Sequence, residues 1–261
     1  MEDKKVVYYT DELNDDFAGN NISTKKVAND YKYIKKSWLF RVNSFLLKYL
    51  FAAPLLWLAN KIVFRVKIEN KRVLKIFKKQ GYYLYANHVL PYDPVVLPVN
   101  THYFKTTIIT AGADLFSING FVSWLVKHFG AIPVPNMDKE MVENYGECLS
   151  YNIKHKHRVL IYPEAHIWPY YNNIRHFKST SFKYPVDDHA PVFVATTTFK
   201  KRKGNKKPKA IIYIDGPFFP DETLPYREQV NDLAERAYEA MCYRAHKEDN
   251  FAYIEYKKKE Q

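Results

Sequence analysis

Cysteine is scarce in this chain of 261 residues. Cys148 and Cys242 are its only two, too few and too far apart for a disulfide framework or a zinc ribbon. A reduced, cytosol-facing protein is the simplest reading. Glycine is scarce too, at 8 residues beside 14 prolines, which excludes collagen-like and linker-like sequence. Acidic residues number 28 against 40 Lys and Arg, leaving a net charge of +12 with histidine neutral. Such an excess calls for an anionic partner, either a phospholipid surface or nucleic acid. No internal repeat or low-complexity block is visible, and no uncharged run reaches the roughly 20 residues of a spanning helix. Residues 1–36 are polar and lack the apolar stretch of a signal peptide.

What is present is an ordinary globular composition, 47% hydrophobic and 26% charged, which excludes a mainly disordered chain. The content of 22 Tyr and 17 Phe suits a large core or an interface with lipid. Residues 37–64 are apolar overall, but Arg41, Lys48 and Lys61 interrupt them and Pro54 divides them. This pattern predicts two short helices lying in or dipping into one leaflet, with the basic residues reaching the headgroups. The alternative is a pair of buried core helices.

From Val66 onward, strand and helix patterns alternate. Strands are expected at 66–70, 82–86, 104–111, 158–163, 190–199 and 209–215, with short ones at 6–9 and 251–256. The clearest amphipathic helices are 139–157 and 226–247, and Asp93-Pro94 is a helix-start signal. The fold class is α/β, with a central, largely parallel sheet flanked by helices. Three parts follow: a polar N-terminal arm (1–36), a membrane-associating helical segment (37–64) and a main α/β domain (65–261).

Of the nine histidines only His88 has an Asp five residues on. With 14 Asp in the chain, about half of one such match is expected by chance, so the pair alone says little. Its setting says more. His88 sits just past an apolar strand and Asp93 at a helix start, and strand ends are where α/β proteins place reactive groups. A carboxylate on one ring nitrogen fixes the tautomer and leaves the other free as a general base. Such a base takes the proton of a hydroxyl as it attacks an acyl carbonyl.

The order of segments resembles the glycerolipid acyltransferase family, the 1-acyl-glycerol-3-phosphate acyltransferases. Asn87, His88 and Asp93 match the family's N-H-x4-D block. Residues 113–121 (ADLFSINGF) and 129–135 (FGAIPVP) are similar to its second block and the stretch before it. YPEAHIW at 162–168 stands for the third, usually F-P-E-G-T-R, and APVFVA at 190–195 for the fourth. Four blocks in order are far more specific than any one. Two departures stand out. The second block normally ends in Arg, where this chain has Pro135 or Asn136, and the Gly-Thr-Arg of the third is Ala165, His166 and Ile167.

The resemblance implies a glycerol-3-phosphate acyltransferase-like fold and direct acyl transfer. Asp93 orients His88, and His88 deprotonates the free hydroxyl of lysophosphatidic acid. The hydroxyl then attacks the thioester of acyl-CoA or acyl carrier protein, with backbone amides around the turn stabilising the oxyanion. In the family the missing arginines hold the acceptor's phosphate, a task suited to their planar fork. Here Arg175 is the best replacement, with His166, His176 and Lys178 close by in sequence, and Glu164 is the site carboxylate. Blander roles exist for each: a Pro-Glu turn for Glu164, a loop residue for His166, a solvated cation for Arg175. The resemblance implies no metal or organic cofactor, and the expected location is the cytoplasmic face of the membrane. The basic run at 200–209 (KKRKGNKKPK) reads as a solvated hairpin tip or a contact with anionic lipid or an acidic carrier. Two remoter readings are a metal-dependent hydrolase built on His88, Asp93, Glu164 and His166, and a non-enzymatic binder of membrane or nucleic acid. No nucleic-acid-binding signature is present.

Overall fold

The computed structural model describes residues 5–17, 27–118, 120–136, 138–204 and 207–259. Nine strands are found among them: β1 (Lys5–Tyr9), β2 (Lys67–Glu69), β3 (Tyr82–Ala86), β4 (Thr107–Ala111), β5 (Ala131–Pro133), β6 (Arg158–Ile161), β7 (Val192–Lys200), β8 (Lys209–Phe218) and β9 (Ile254–Lys258). Seven form one sheet in the order β2-β8-β7-β3-β6-β4-β5. Every neighbouring pair is parallel except β7 with β8. The carboxyl ends of β3, β4, β5, β6 and β7 therefore share one end of the sheet, while β8 and β2 begin there. The mixed α/β class with a mostly parallel, helix-flanked sheet stands as expected. β5 was not expected: three residues beside Gly130 are too few to show a period.

β3 is central, and its five residues are almost fully buried. Side chains alternate across a strand, so Tyr83 and Tyr85 join one core cluster with the helices Lys139–Lys154 and Tyr226–Ala245. Tyr82, Leu84 and Ala86 join the other, against the helix Asp93–Thr101. That helix is tied down at its far end. The buried Arg158 of β6 donates to the Thr107 hydroxyl at 2.8 Å, to the Pro98 carbonyl at 3.2 Å and to the Thr101 hydroxyl. Asp93 at its head is thereby held over the end of β3.

Residues Trp38–Phe64 form one continuous helix of 27 residues, not the two that Pro54 suggested. The widening explains the continuity. Leu46–Ala52 is wound as a π-helix, and the Ala53 N–H reaches back five residues to the Lys48 carbonyl. The wider turn accommodates a proline that has no N–H to give. A second π stretch, Asn60–Phe64, ends at Arg65 with φ 52°. The helix lies along the α/β body. Phe40 packs on His128 at 4.4 Å, the Tyr103 hydroxyl donates to the Tyr49 carbonyl at 3.1 Å, and Asn60 donates to Asn100 at 3.1 Å. Its last residue, Phe64, stacks on Tyr92 at 4.2 Å. The opposite side carries Leu50, Phe51 and Leu55, each more than 60% exposed.

The described parts of the N-terminal arm are packed rather than free. β1 pairs in parallel with β9 as a separate two-stranded sheet, and Val27 and Tyr33 are buried in the core.

Candidate active site

β3 ends because Asn87 closes it. Its side chain accepts the Thr197 N–H at 2.8 Å and donates to the Thr197 carbonyl at 3.1 Å. The amide thus stands in for a further ladder residue of β3 opposite β7, and the backbone turns away at His88. The turn is closed from its far side. Asp93 Oδ2 accepts the N–H groups of Val89 at 3.2 Å and Leu90 at 2.8 Å. The same oxygen lies 3.9 Å from His88 Nδ1, beyond hydrogen-bond length. The carboxylate therefore acts on the ring as a charge, and a closure of about 1 Å would make the bond. The ring lies 4.4 Å from that of Tyr162, tilted by 31°, which holds its plane.

The loop after β6 is zipped onto this turn. Trp168 donates its N–H to the His88 carbonyl at 3.1 Å, and Tyr170 to the Val89 carbonyl at 2.9 Å. Glu164 Oε2 faces the His88 N–H at 3.5 Å, and Oε1 accepts the Arg175 N–H at 3.1 Å. Ala165, where the family pattern has Gly, adopts φ 62°. That left-handed conformation is the one glycine adopts without strain, so alanine holds it at some steric cost.

The six expected site residues separate. His88, Asp93, Glu164 and Arg175 come together. His166 is half-buried on the same loop, with Nδ1 at 3.7 Å from Asp16. Lys178 is exposed, leading into the turn Ser179–Phe182. Arg175 does not sit as a phosphate anchor would. Its guanidinium is paired with Glu164 at 3.3 Å with both side chains essentially unexposed. It also donates to the carbonyls of His166 and, at 3.2 Å, Glu12, and lies 4.9 Å over the Trp168 ring. The expected oxyanion donors need the same correction, because the amides of His88, Val89 and Leu90 already face carboxylates. Among the described residues no group of three or more His, Cys, Asp or Glu is placed to hold a metal ion.

Sequence reasoning missed the N-terminal segment. The carbonyl of Asp15 accepts the Trp168 indole N–H at 2.8 Å, and Phe17 donates its N–H to Ile167. The rings of Tyr9 and Phe17 lie 4.8 and 5.2 Å from that of Trp168.

Burial pushes the Asp93 carboxyl above the usual carboxylate range, while His88 and the two turn amides pull it back. Burial likewise raises Glu164 against the opposing pull of Arg175. A carboxyl raised on folding contributes stability that is present below its unfolded pKa and lost as pH rises through its folded one. Asp93→Asn keeps an oxygen for the two amides and removes the charge. Its unfolding free energy relative to the wild type is therefore expected to improve from about pH 4 toward neutrality. Its turnover is expected to fall roughly 10²-fold through loss of ring orientation. Denaturant midpoints at both pH values and initial rates check the two halves.

A buried α/β strand delivers a His-Asp turn, and a carboxylate loop is zipped beside it. The sequence model named Acyltransferase matches residues 65–196, half of the chain, and the chain belongs to that family. Its fold is that of the glycerolipid acyltransferases. It is similar to the 1-acyl-sn-glycerophosphate (LPA) acyltransferase PlsC from Thermotoga maritima, with 17% identity, a TM-score of 0.55, and coverage of 80% of this chain and 88% of that one. No curated protein matches the chain significantly.

Proposed function

We propose that the chain moves a fatty acyl group from acyl-CoA or acyl carrier protein to the free hydroxyl of lysophosphatidic acid, at the cytoplasmic surface of a membrane. The observation that carries the reading is the His88–Asp93 turn, with Asp93 buried and fixed by two amides and the imidazole partly open to solvent. The ring nitrogen remote from Asp93 takes the hydroxyl proton. The oxygen attacks the thioester carbon, the C–S bond breaks, and the leaving thiolate takes the proton from the imidazolium. Asp93 favours the imidazolium while it exists.

The test is thiol release from acyl-CoA by detergent-purified protein, with 1-acyl-glycerol-3-phosphate present or absent. Release that depends on the acceptor supports the proposal. Release that ignores it points to a thioesterase and removes the acyl-transfer reading. A second acceptor class has one observation in its favour. With Arg175 committed to Glu164, the site lacks the family's arginine clamp, which favours another lysolipid or an amino or sugar lipid. A screen of acceptors at fixed donor separates the two.

The membrane reading rests on the helix Trp38–Phe64. At about 40 Å it is long enough to span. It is held to the body near both ends and in the middle, so an in-plane, monotopic placement fits it better. Replacing Leu50, Phe51 and Leu55 together by Ser is expected to weaken binding to neutral vesicles by ~10-fold or more, with little change in Tm because these side chains are exposed. Vesicle flotation measures it, and unchanged binding would remove the helix as anchor.

A further inference from the structure

The hairpin joining β7 to β8 holds seven Lys and Arg in the ten residues 200–209, with no acidic residue among them. Asn205 and Lys206 lie outside the described residues; the residues on either side of them, 200–204 and 207–209, have a definite place. β7 is parallel to β3, with Ala195 against Ala86, and Asn87 is stapled to Thr197. Three further residues bring β7 to Lys200, about 10 Å on at the strand rise. The described ends of the hairpin therefore lie at the end of the sheet that carries His88.

The end of the long helix arrives at the same place. β2, which follows the helix, pairs in parallel with β8 from Ile211 onward, two residues past Lys209 at the hairpin base. Phe199, at that base, shares one apolar cluster with Val89 and Leu90 of the His88 turn, and Phe64 of the helix packs against it. Tyr170, bonded to the turn, lies 5.5 Å from the Phe199 ring. Lys200 is paired with Asp249 at 2.7 Å, and Lys201 lies 5.6 Å over Phe251. Lys201, Lys203, Lys207 and Lys209 are exposed.

We propose that this hairpin is a second membrane contact, electrostatic where the helix is apolar, and that it takes the phosphate headgroups of anionic phospholipid beside the His88 turn. The proposal rests on reading the helix as the membrane anchor. The helix, whose outer face is apolar, and the basic hairpin meet at one cluster through Phe64 and Phe199, and the two match the two layers of a leaflet, acyl chains and headgroup phosphates. Lysines at the rim reach headgroups on flexible stems. The contact would turn the carboxyl end of the sheet toward the layer from which a lysolipid arrives. An acidic carrier protein would need the charge but not its continuity with the exposed helix, so lipid is the partner this geometry favours.

The experiment measures partition of the full chain onto vesicles of phosphatidylcholine alone and of phosphatidylcholine mixed with phosphatidylserine. The wild type is compared with the variant K201S/R202S/K203S/K207S. The wild type is expected to bind the anionic vesicles ~10-fold more tightly at low salt, a gain that shrinks as salt is raised. The variant is expected to bind neutral vesicles like the wild type and to lose most of the gain. K201R/K203R/K207R, which keeps the charge, is expected to retain it. A Ser variant that keeps the full gain overturns the proposal. If it keeps the gain but loses binding to acyl carrier protein, the hairpin belongs to the carrier instead. Failure of the helix as anchor appears in the neutral arm and failure of the hairpin in the anionic arm, so the two are read separately.

Discussion

His88→Ala is expected to lower acceptor-dependent turnover by roughly 10²–10⁴-fold, the usual contribution of a positioned general base, while the protein stays folded. The two halves rest on different observations. On the chemical side, His88 is the imidazole held at the carboxyl end of the central strand with a buried carboxylate behind it. On the structural side, the ring contributes little to the architecture. Its Nδ1 has no hydrogen-bond partner among the described residues, and its side chain keeps 19% exposure. The bonds that hold position 88 come from its backbone, which bonds Trp168 and faces Glu164, and alanine retains them. The loss of stability is expected to stay within about 2 kcal/mol, from lost ring contacts such as that with Tyr162. Initial rates of thiol release and a thermal melt decide both parts. Turnover near wild type would sink the assignment of the base.

The parts of this fold that were legible in the sequence are those whose cause is local. β3 is a continuous apolar run with a polar stop, and it is found at the residues expected. The helix Lys139–Lys154 follows its apolar spacing. The His88–Asp93 turn needs four residues between its partners, and a short turn of that length closes on itself. What was not legible depends on distant partners. Pro54 marks a break in any local reading, yet a π-helical turn absorbs it. Arg175 reads as a free cation eleven residues from Glu164, and only the looping of 165–174 brings the two into contact. The segment 5–17 buttresses the site through the carbonyls of Glu12 and Asp15, which any residue would supply, and through the rings of Tyr9 and Phe17 on a Trp168 distant in sequence. No residue pattern could announce that.

The buried Glu164–Arg175 pair carries the other large expectation. Arg175→Met would leave the Glu164 carboxylate unexposed and unpaired. Breaking such a pair from one side usually costs about 3–5 kcal/mol. The loss is expected to be greatest at neutral and alkaline pH and to shrink on acidification. Burial already raises the Glu164 carboxyl, and without its cation it rises further, so the stability it contributes is lost as pH climbs through the higher folded value. The double variant Glu164→Gln/Arg175→Met removes both charges and is expected to recover part of the loss, as replaced buried pairs do. Denaturant midpoints at two pH values for the three proteins complete the stability test. Kinetics then separates positioning from binding. Arg175 touches the loop that bonds the His88 backbone, so its loss is expected to lower kcat while the acceptor's KM changes little. If instead the acceptor's KM rises alone and stability is untouched, the guanidinium leaves Glu164 for the acceptor's phosphate during turnover, and the role the family arginines play passes to Arg175.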